Sequence, residues 1–268
     1  MTIHLRDIKF TIPANQALEF PYNLKVFRQL KEMCFTSPVT IFIGENGTGK
    51  STLLEGIAIT VQLATIGRQE TSRDVSLDAV RPLADGMKLR WNKVTHSGFF
   101  LRAEDFFGFV THVREMRQSM KDEIDRIERE YEGRSDYAKA LAKGPAAESI
   151  HALDQRYSGD LGMQSHGESF LTLFQSRFVP GGLYLLDEPE AALSPLSQLG
   201  LITLIKKMIL EDAQFIIATH SPILMAIPEA QLLNFDASPP ESMDYNELDH
   251  VQLYRSFLED PRAFIDRL

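Results

Sequence analysis

Gly44-Glu45-Asn46-Gly47-Thr48-Gly49-Lys50-Ser51 lies between a β-branched and aromatic run, Val39–Ile43, and a segment with apolar residues at Leu53, Leu54, Ile57, Ile59 and Val61. The run reads as a strand and the segment, residues 51–63, as a helix. The string matches GxxxxGK[ST] in full, in the strand–loop–helix context that pattern requires. Its glycines let backbone N–H groups turn inward around a phosphate, and a helix beginning near Gly49 adds its N-terminal dipole. Lys50 is expected to reach the β- and γ-phosphates of a nucleotide, and the Ser51 hydroxyl to ligate Mg²⁺.

A second apolar run, residues 183–186 (LYLL), ends in Asp187-Glu188-Pro189-Glu190. It is followed by a helix over 196–210 and a strand over 214–218. Strand, helix, strand in that order implies a crossover and a parallel sheet. Carboxylates at the end of such a strand lie at the carboxyl edge, where open α/β sheets bind ligands. Asp187 is therefore expected to hold Mg²⁺ through water, with Ser51, and Glu188 to orient and deprotonate an attacking water. His220, in ATHSP, follows the next strand and is a candidate γ-phosphate sensor, although capping is the commoner use of a lone histidine. Ser165-His166-Gly167-Glu168 precedes a helix over 169–178 and reads as a second anion site. One nucleotide rarely needs two γ-phosphate sites, so Ser165 is expected to serve the nucleotide of a second copy.

The remaining chain bounds the alternatives. Its 268 residues are 44% hydrophobic and 24% charged, the proportions of a chain that folds around a core. With 28 basic and 37 acidic residues the net charge is −9, which disfavours a large constitutive nucleic-acid surface. The single cysteine, Cys34, excludes an intrachain disulfide and reads as a buried apolar side chain. No secretory signal and no ~20-residue apolar span is visible, so a soluble, cytoplasmic protein is expected. Residues 66–86 read as a polar surface excursion. From Phe106 to Tyr131 apolar residues recur every three or four positions, an amphipathic helix of about 39 Å. A helix packed on the body and an arm that meets a partner both accommodate it. Residues 133–160 read as irregular, with a short helix. The organisation expected is one domain, 1–268, with a helical insertion near 105–160. Asn92-Lys93-Val94-Thr95 lacks the acid of NKxD, which disfavours a GTPase, and no second substrate pocket suggests a P-loop kinase.

Taken together, these strings resemble the ATP-binding cassette (ABC) type ATPases, on the side of SMC, RecF and OLD ATPases and their stand-alone relatives. FFLRAE, QSHGESF, DEPEAALSP, ATHSPILMAIP and the tail HVQLYRSFLEDPRAFIDRL carry the resemblance. It implies an α/β P-loop NTPase fold with an ABC-like mixed sheet. It also implies an ATPase that sandwiches Mg-ATP between two copies as a nucleotide-gated homodimer. Gly44 to Thr52 would form Walker A, and Asp187 and Glu188 Walker B with its catalytic acid. Ser165 and Gly167 would belong to the signature acting in trans, residues 191–194 to the loop crossing the dimer interface, and His220 to the switch. The signature reads QSHGE rather than LSGGQ, and Glu104 stands where a switch glutamine is expected, as a candidate for Mg²⁺ or water. Tyr22 and Phe27 are candidate adenine platforms. A non-hydrolytic ATP switch and a transporter ATPase subunit are the alternatives, and a protein or nucleic-acid partner stays open.

Overall fold

Two sheets share one helix. The structure, a computed structural model, describes residues 2–12, 19–66, 71, 74–157 and 166–266. They fall into two units, Met1–Ala103 with Phe178–Leu268, and Glu104–Arg177.

In the first unit, β1 (Leu5–Phe10) is followed by α1 (Lys25–Gln29), β2 (Glu32–Cys34), β3 (Val39–Ile43) and α2 (Lys50–Val61). A 3-10 turn over Val75–Val80 leads to α3 (Arg81–Asp85), β4 (Met87–Trp91) and β5 (Gly98–Leu101). β1 is the centre of an antiparallel sheet, β2-β1-β4. The second unit holds α4 (Ala103–Glu130), α5 (Asp136–Tyr157) and α6 (His166–Arg177). The chain then returns through β6 (Leu183–Asp187), a 3-10 turn (Pro189–Ala192), α7 (Pro195–Leu210), β7 (Gln214–Ala218) and α8 (Pro222–Met225). β8 (Gln231–Asn234), β9 (Glu241–Ser242), α9 (Asp249–Glu259) and α10 (Pro261–Ile265) complete it. The larger sheet runs β5-β6-β7-β3-β8-β9, with every pair parallel except β8 with β9. This is the mixed α/β sheet that the family resemblance implies, and its parallel part is the one the strand–helix–strand order predicts.

Composition explains the layering. All five residues of β3 and of β7 are buried, as strands covered on both faces must be. α2 buries Leu53, Leu54, Ile57, Ala58 and Val61 on more than one side and touches strands of both sheets. A helix apolar all round belongs in a core. At Gly56 a Cβ would lie 2.7 Å from Met87 Cε, so the helix and β4 approach as closely as a glycine allows. Phe99, Phe178, Tyr184 and Phe215 form an aromatic cluster over β5, β6 and β7, with ring centroids 4.6–5.7 Å apart. The Tyr184 hydroxyl donates to Val179 O at 2.8 Å, and burial pushes it up to about 12.

Four local expectations are corrected. Residues 74–85 are no surface excursion: Leu77, Val80 and Leu83, three apart on one face of a tight turn, are buried in the core. Arg102 anchors the segment at Asp74, 2.9 Å away. Residues 136–157 are one helix with Pro145 inside it, not loops. Five alanines between 138 and 147 supply high helix propensity. Within this unit Arg117 pairs with Asp154 (3.0 Å) and Glu128 with Lys143, an equal spacing on both helices that fits an antiparallel hairpin. On α4, Val113 and Ile127 are buried, and Met116, Met120 and Ile124 half-buried, on the predicted stripe. Phe106, Phe109 and Val110 lie outside the described side chains. The helix begins at Ala103, three residues before the predicted start. Cys34 is exposed, because strand alternation on β2 turns its neighbour Met33 inward instead.

Two glutamines, each opening a parallel strand, tie the sheets together. Gln214, wholly buried at the start of β7, accepts the Leu5 N–H (2.8 Å) and donates to Leu5 O (3.0 Å). Gln231, at the start of β8, accepts the Thr36 N–H (2.9 Å) and donates to Cys34 O (3.0 Å). Removing the first strands two buried backbone groups on β1. Gln214→Ala is expected to cost about 2 kcal/mol or more in denaturant unfolding with an unchanged slope. An unchanged midpoint would show that the tie does not stabilise the fold.

Candidate functional site

Three strand ends define the site. Parallel register sets Phe42 of β3 and Asp187 of β6 both opposite Ala218 of β7. The loops that leave β3, β6 and β7 therefore emerge side by side, bringing the 44–52 loop, Asp187-Glu188 and His220 to one edge.

The 44–52 loop turns on glycines. Gly44, Gly47 and Gly49 have φ of 140°, 80° and 102°, values L side chains rarely adopt. At Gly49 a Cβ would also meet Val26 Cγ1 at 2.8 Å, because α1 backs the loop. Asp236, just past β8, braces the other side: its Oδ1 accepts the Glu45 N–H at 2.8 Å. The Thr48 hydroxyl donates to Glu45 O at 2.9 Å. Asn46 lies at the exposed tip, and Thr52 in the first turn of α2 is half-buried.

Lys50 is 5% exposed, and its ammonium donates to Gly44 O (2.6 Å) and Glu45 O (2.8 Å). Burial pulls it below the usual lysine range, against the opposing pull of Asp236, Glu188, Asp187 and Glu45. The cation thus occupies the concavity of its own loop, held by carbonyls that an entering anion can replace. Ser51 Oγ donates to Asp187 Oδ1 at 3.0 Å. Burial pushes Asp187 up to about 7; the Ser51 bond opposes this and the charge of Glu188 adds to it. A buried carboxylate beside a hydroxyl is a hard-oxygen pair that suits Mg²⁺. The glycine cradle and the buried ammonium suit a phosphate chain. The residues present fit both groups.

Glu188 takes the left-handed conformation, φ 46° and ψ 51°, unusual for a residue with a side chain. Its N–H continues the sheet pairing to Ala218 O at 2.9 Å. Its Oε1 lies 3.8 Å from His220 Nε2, which is buried and has no hydrogen-bond partner among the described residues. Burial, then the nearby Lys50, hold the His220 imidazole below its ordinary range, although Glu188 and Glu190 oppose this. Residues 191–194 follow directly, and Ser194 caps α7 by accepting the Ser197 N–H at 3.2 Å.

Of the remaining candidates, Gly167 and Glu104 belong to the second unit. Ser165 lies outside the described residues. Gly167 is in the first turn of α6, and Glu104 is in the first turn of α4, its side chain outside the description. Tyr22 and Phe27 are corrected: both are at most 2% exposed, and the Tyr22 hydroxyl donates to Pro82 O at 2.6 Å. Neither can stack on an adenine, since both rings are packed inside the hydrophobic core. Asp236, Glu190 and Gln198 escaped the sequence reading. The signal that could have found Asp236 is its place just after a strand in the same parallel sheet.

A family model described as "AAA domain, putative AbiEii toxin, Type IV TA system" matches residues 169–226, and one described as "AAA domain" matches residues 22–136. No curated protein sequence matches the chain. Among solved structures, it is similar to an SMC head domain from Thermotoga maritima, at 14% identity over 87% of this chain and 94% of that one, with a TM-score of 0.42. It is also similar to the ADP conformation of an ATP-binding cassette of an ABC transporter, at 15% identity over 97% of each chain, TM-score 0.46. A nucleotide-free cassette from an ABC transporter covers 99% of each chain at 15% identity, TM-score 0.45. The loop, the sheet order and the AAA-domain matches define a P-loop ATPase fold, which implies nucleotide binding. Among the described residues, no helix is long and apolar enough to cross a membrane.

The Asp187 environment yields a test in the nucleotide-free protein. The folded carboxyl keeps its proton up to about pH 7, whereas an unfolded one releases it near about pH 4. The folded state therefore binds more protons across that window, and its stability falls as pH rises through it. Asp187→Asn, in chelator and without nucleotide, is expected to raise stability at pH 8 by on the order of 1 kcal/mol or more and to flatten that fall. A difference from wild type that stays constant between pH 4 and pH 8 in denaturant titrations contradicts the assignment.

Proposed function

We propose that the chain binds Mg-ATP in the 44–52 loop and hydrolyses it, acting as a nucleotide-gated homodimer. The observation that carries this reading is the Ser51–Asp187 bond of 3.0 Å beside the buried ammonium of Lys50. Bound Mg²⁺ would supply neutralisation of phosphate charge, with Ser51 and Asp187 offering its protein oxygens. Lys50 exchanges the carbonyls of Gly44 and Glu45 for phosphate oxygens. The N–H groups of the glycine loop hold the same phosphates, and pre-aligned donors of this kind stabilise charge as it develops. Glu188 orients a water and takes its proton, and His220 Nε2 stands ready to donate to the γ-phosphate or the water.

In the two-copy arrangement, Ser165 and Gly167 of one protomer close over the nucleotide of its partner, and residues 191–194 lie along the seam. The QSHGESF string supports this through its resemblance to a signature acting in trans. Glu104 is the proposed stand-in for a switch glutamine. The proposed setting is cytoplasmic, and any protein or nucleic-acid partner acts on the nucleotide-loaded dimer.

Purified protein is expected to turn over ATP, and Glu188→Gln to slow turnover by about 10²- to 10⁴-fold while keeping Mg-ATP affinity. Sedimentation of that variant should give a dimer with Mg-ATP and a monomer without it; a monomer in both contradicts the homodimer. Lys50→Ala is expected to weaken ATP binding at least about tenfold in calorimetry, the loss of a charge-assisted contact. Unchanged affinity would refute the loop as the phosphate site. Binding with no turnover would instead support a nucleotide-dependent switch, the reading favoured by QSHGE in place of LSGGQ.

A further inference from the structure

The turn that carries Glu188 and the loop that carries His220 are joined by a side chain that has no part in the phosphate loop or the acid pair. Glu190 lies in the 3-10 turn after β6, and its Oε1 accepts the backbone N–H of His220 at 2.6 Å. Its Oε2 is buried without a hydrogen-bond partner among the described residues. Leaving a carboxylate oxygen unpaired is a cost to folding that packing alone does not explain. The imidazole projecting from the peptide that Glu190 grips has Nε2 at 3.8 Å from Glu188 Oε1. Glu188 is anchored on the same turn: its N–H bonds Ala218 O at 2.9 Å, and its own O accepts the Ala191 N–H at 3.0 Å. A second tie runs alongside. Buried Gln198 on α7 accepts the Ser221 hydroxyl and donates to Leu193 O at 3.2 Å.

We propose that Glu190 is a positioning residue for hydrolysis: by holding the His220 peptide, it fixes the imidazole against Glu188 so that the two act as one rigid unit. The inference rests on the ATPase reading above and goes beyond it by assigning a third acid that touches neither nucleotide nor water. Glu190 acts through His220, so its loss should appear in the rate of the chemical step rather than in binding.

The test compares wild type with Glu190→Gln, which keeps an oxygen acceptor at the same reach, and Glu190→Ala, which removes it. Glu190→Asp serves as a second arm, retaining the charge but withdrawing the acceptor by one methylene. Steady-state turnover, Mg-ATP affinity by calorimetry and hydrogen exchange of the His220 amide are measured on each. Glu190→Ala and Glu190→Asp are expected to lower kcat about ten- to a hundredfold with KM and affinity within about twofold, as small misplacements of reacting groups do. Glu190→Gln should stay within about threefold of wild type in kcat and keep the His220 amide protected; Ala and Asp should lose that protection. If Glu190→Ala does not fold, the Asp variant alone decides. Wild-type kcat in a variant lacking the acceptor overturns the proposal, as does a loss confined to KM, or a Gln variant as slow as Ala. A wild type that does not hydrolyse ATP overturns the ATPase reading and this inference together, before any variant is compared.

Discussion

The parallel register of three strands is the constraint on which the site depends. Phe42, Ala218 and Asp187 stand level across β3, β7 and β6, so the chain must leave all three strands at the same edge. Slipping one strand by a residue would reverse its faces, and β3 and β7 tolerate little such change because both their faces are buried in apolar contacts. The loops at that edge inherit their positions from a core that has no freedom to move them. Gln214 and Gln231 extend this control to the antiparallel sheet, since each sits at the opposite, amino end of its strand and bonds backbone groups on or beside β1 and β2.

The edge gathers features that packing disfavours. Lys50 is buried with its charge met by carbonyls of its own loop, and Asp187 is buried deeply enough to hold its proton near neutral pH. Glu188 adopts a backbone conformation that suits glycine better, and Glu190 and His220 each keep a polar atom out of water without a partner among the described residues. One such feature is unremarkable in a folded chain. Five on three adjoining loops describe a region shaped for a ligand, because unpaired polar atoms and strained backbone persist where binding or chemistry repays them.

Much of this was legible in the sequence, and the reasons are local. GENGTGKS was readable because a phosphate loop is contiguous: its glycines, lysine and serine fall within eight residues, and the strand and helix around it have clear periods. Asp187 was readable because an apolar run ending in an acid marks a strand end. Residues whose roles come from distant partners were not readable. Gln214 looks like any strand-initial polar residue until Leu5, more than two hundred positions earlier, is laid against it. Asp236 has no neighbouring motif, and Glu190 resembles a solvated acid until the His220 peptide arrives beside it. Tyr22 and Phe27 misled in the opposite sense, since burial in the core and stacking on a base call for the same residue types. The 136–157 helix escaped because Gly144-Pro145 is a breaker by propensity, and pairing with α4 overrides it.

The most direct measurement of the central claim is a crystal structure of the protein with Mg²⁺ and a non-hydrolysable ATP analogue. The account predicts a triphosphate seated over residues 44–52, with Lys50 Nζ moved from the Gly44 and Glu45 carbonyls to phosphate oxygens and the metal held beside Ser51 and Asp187. A nucleotide bound elsewhere, or a Lys50 still bonded to its own loop with the metal away from that pair, would contradict it.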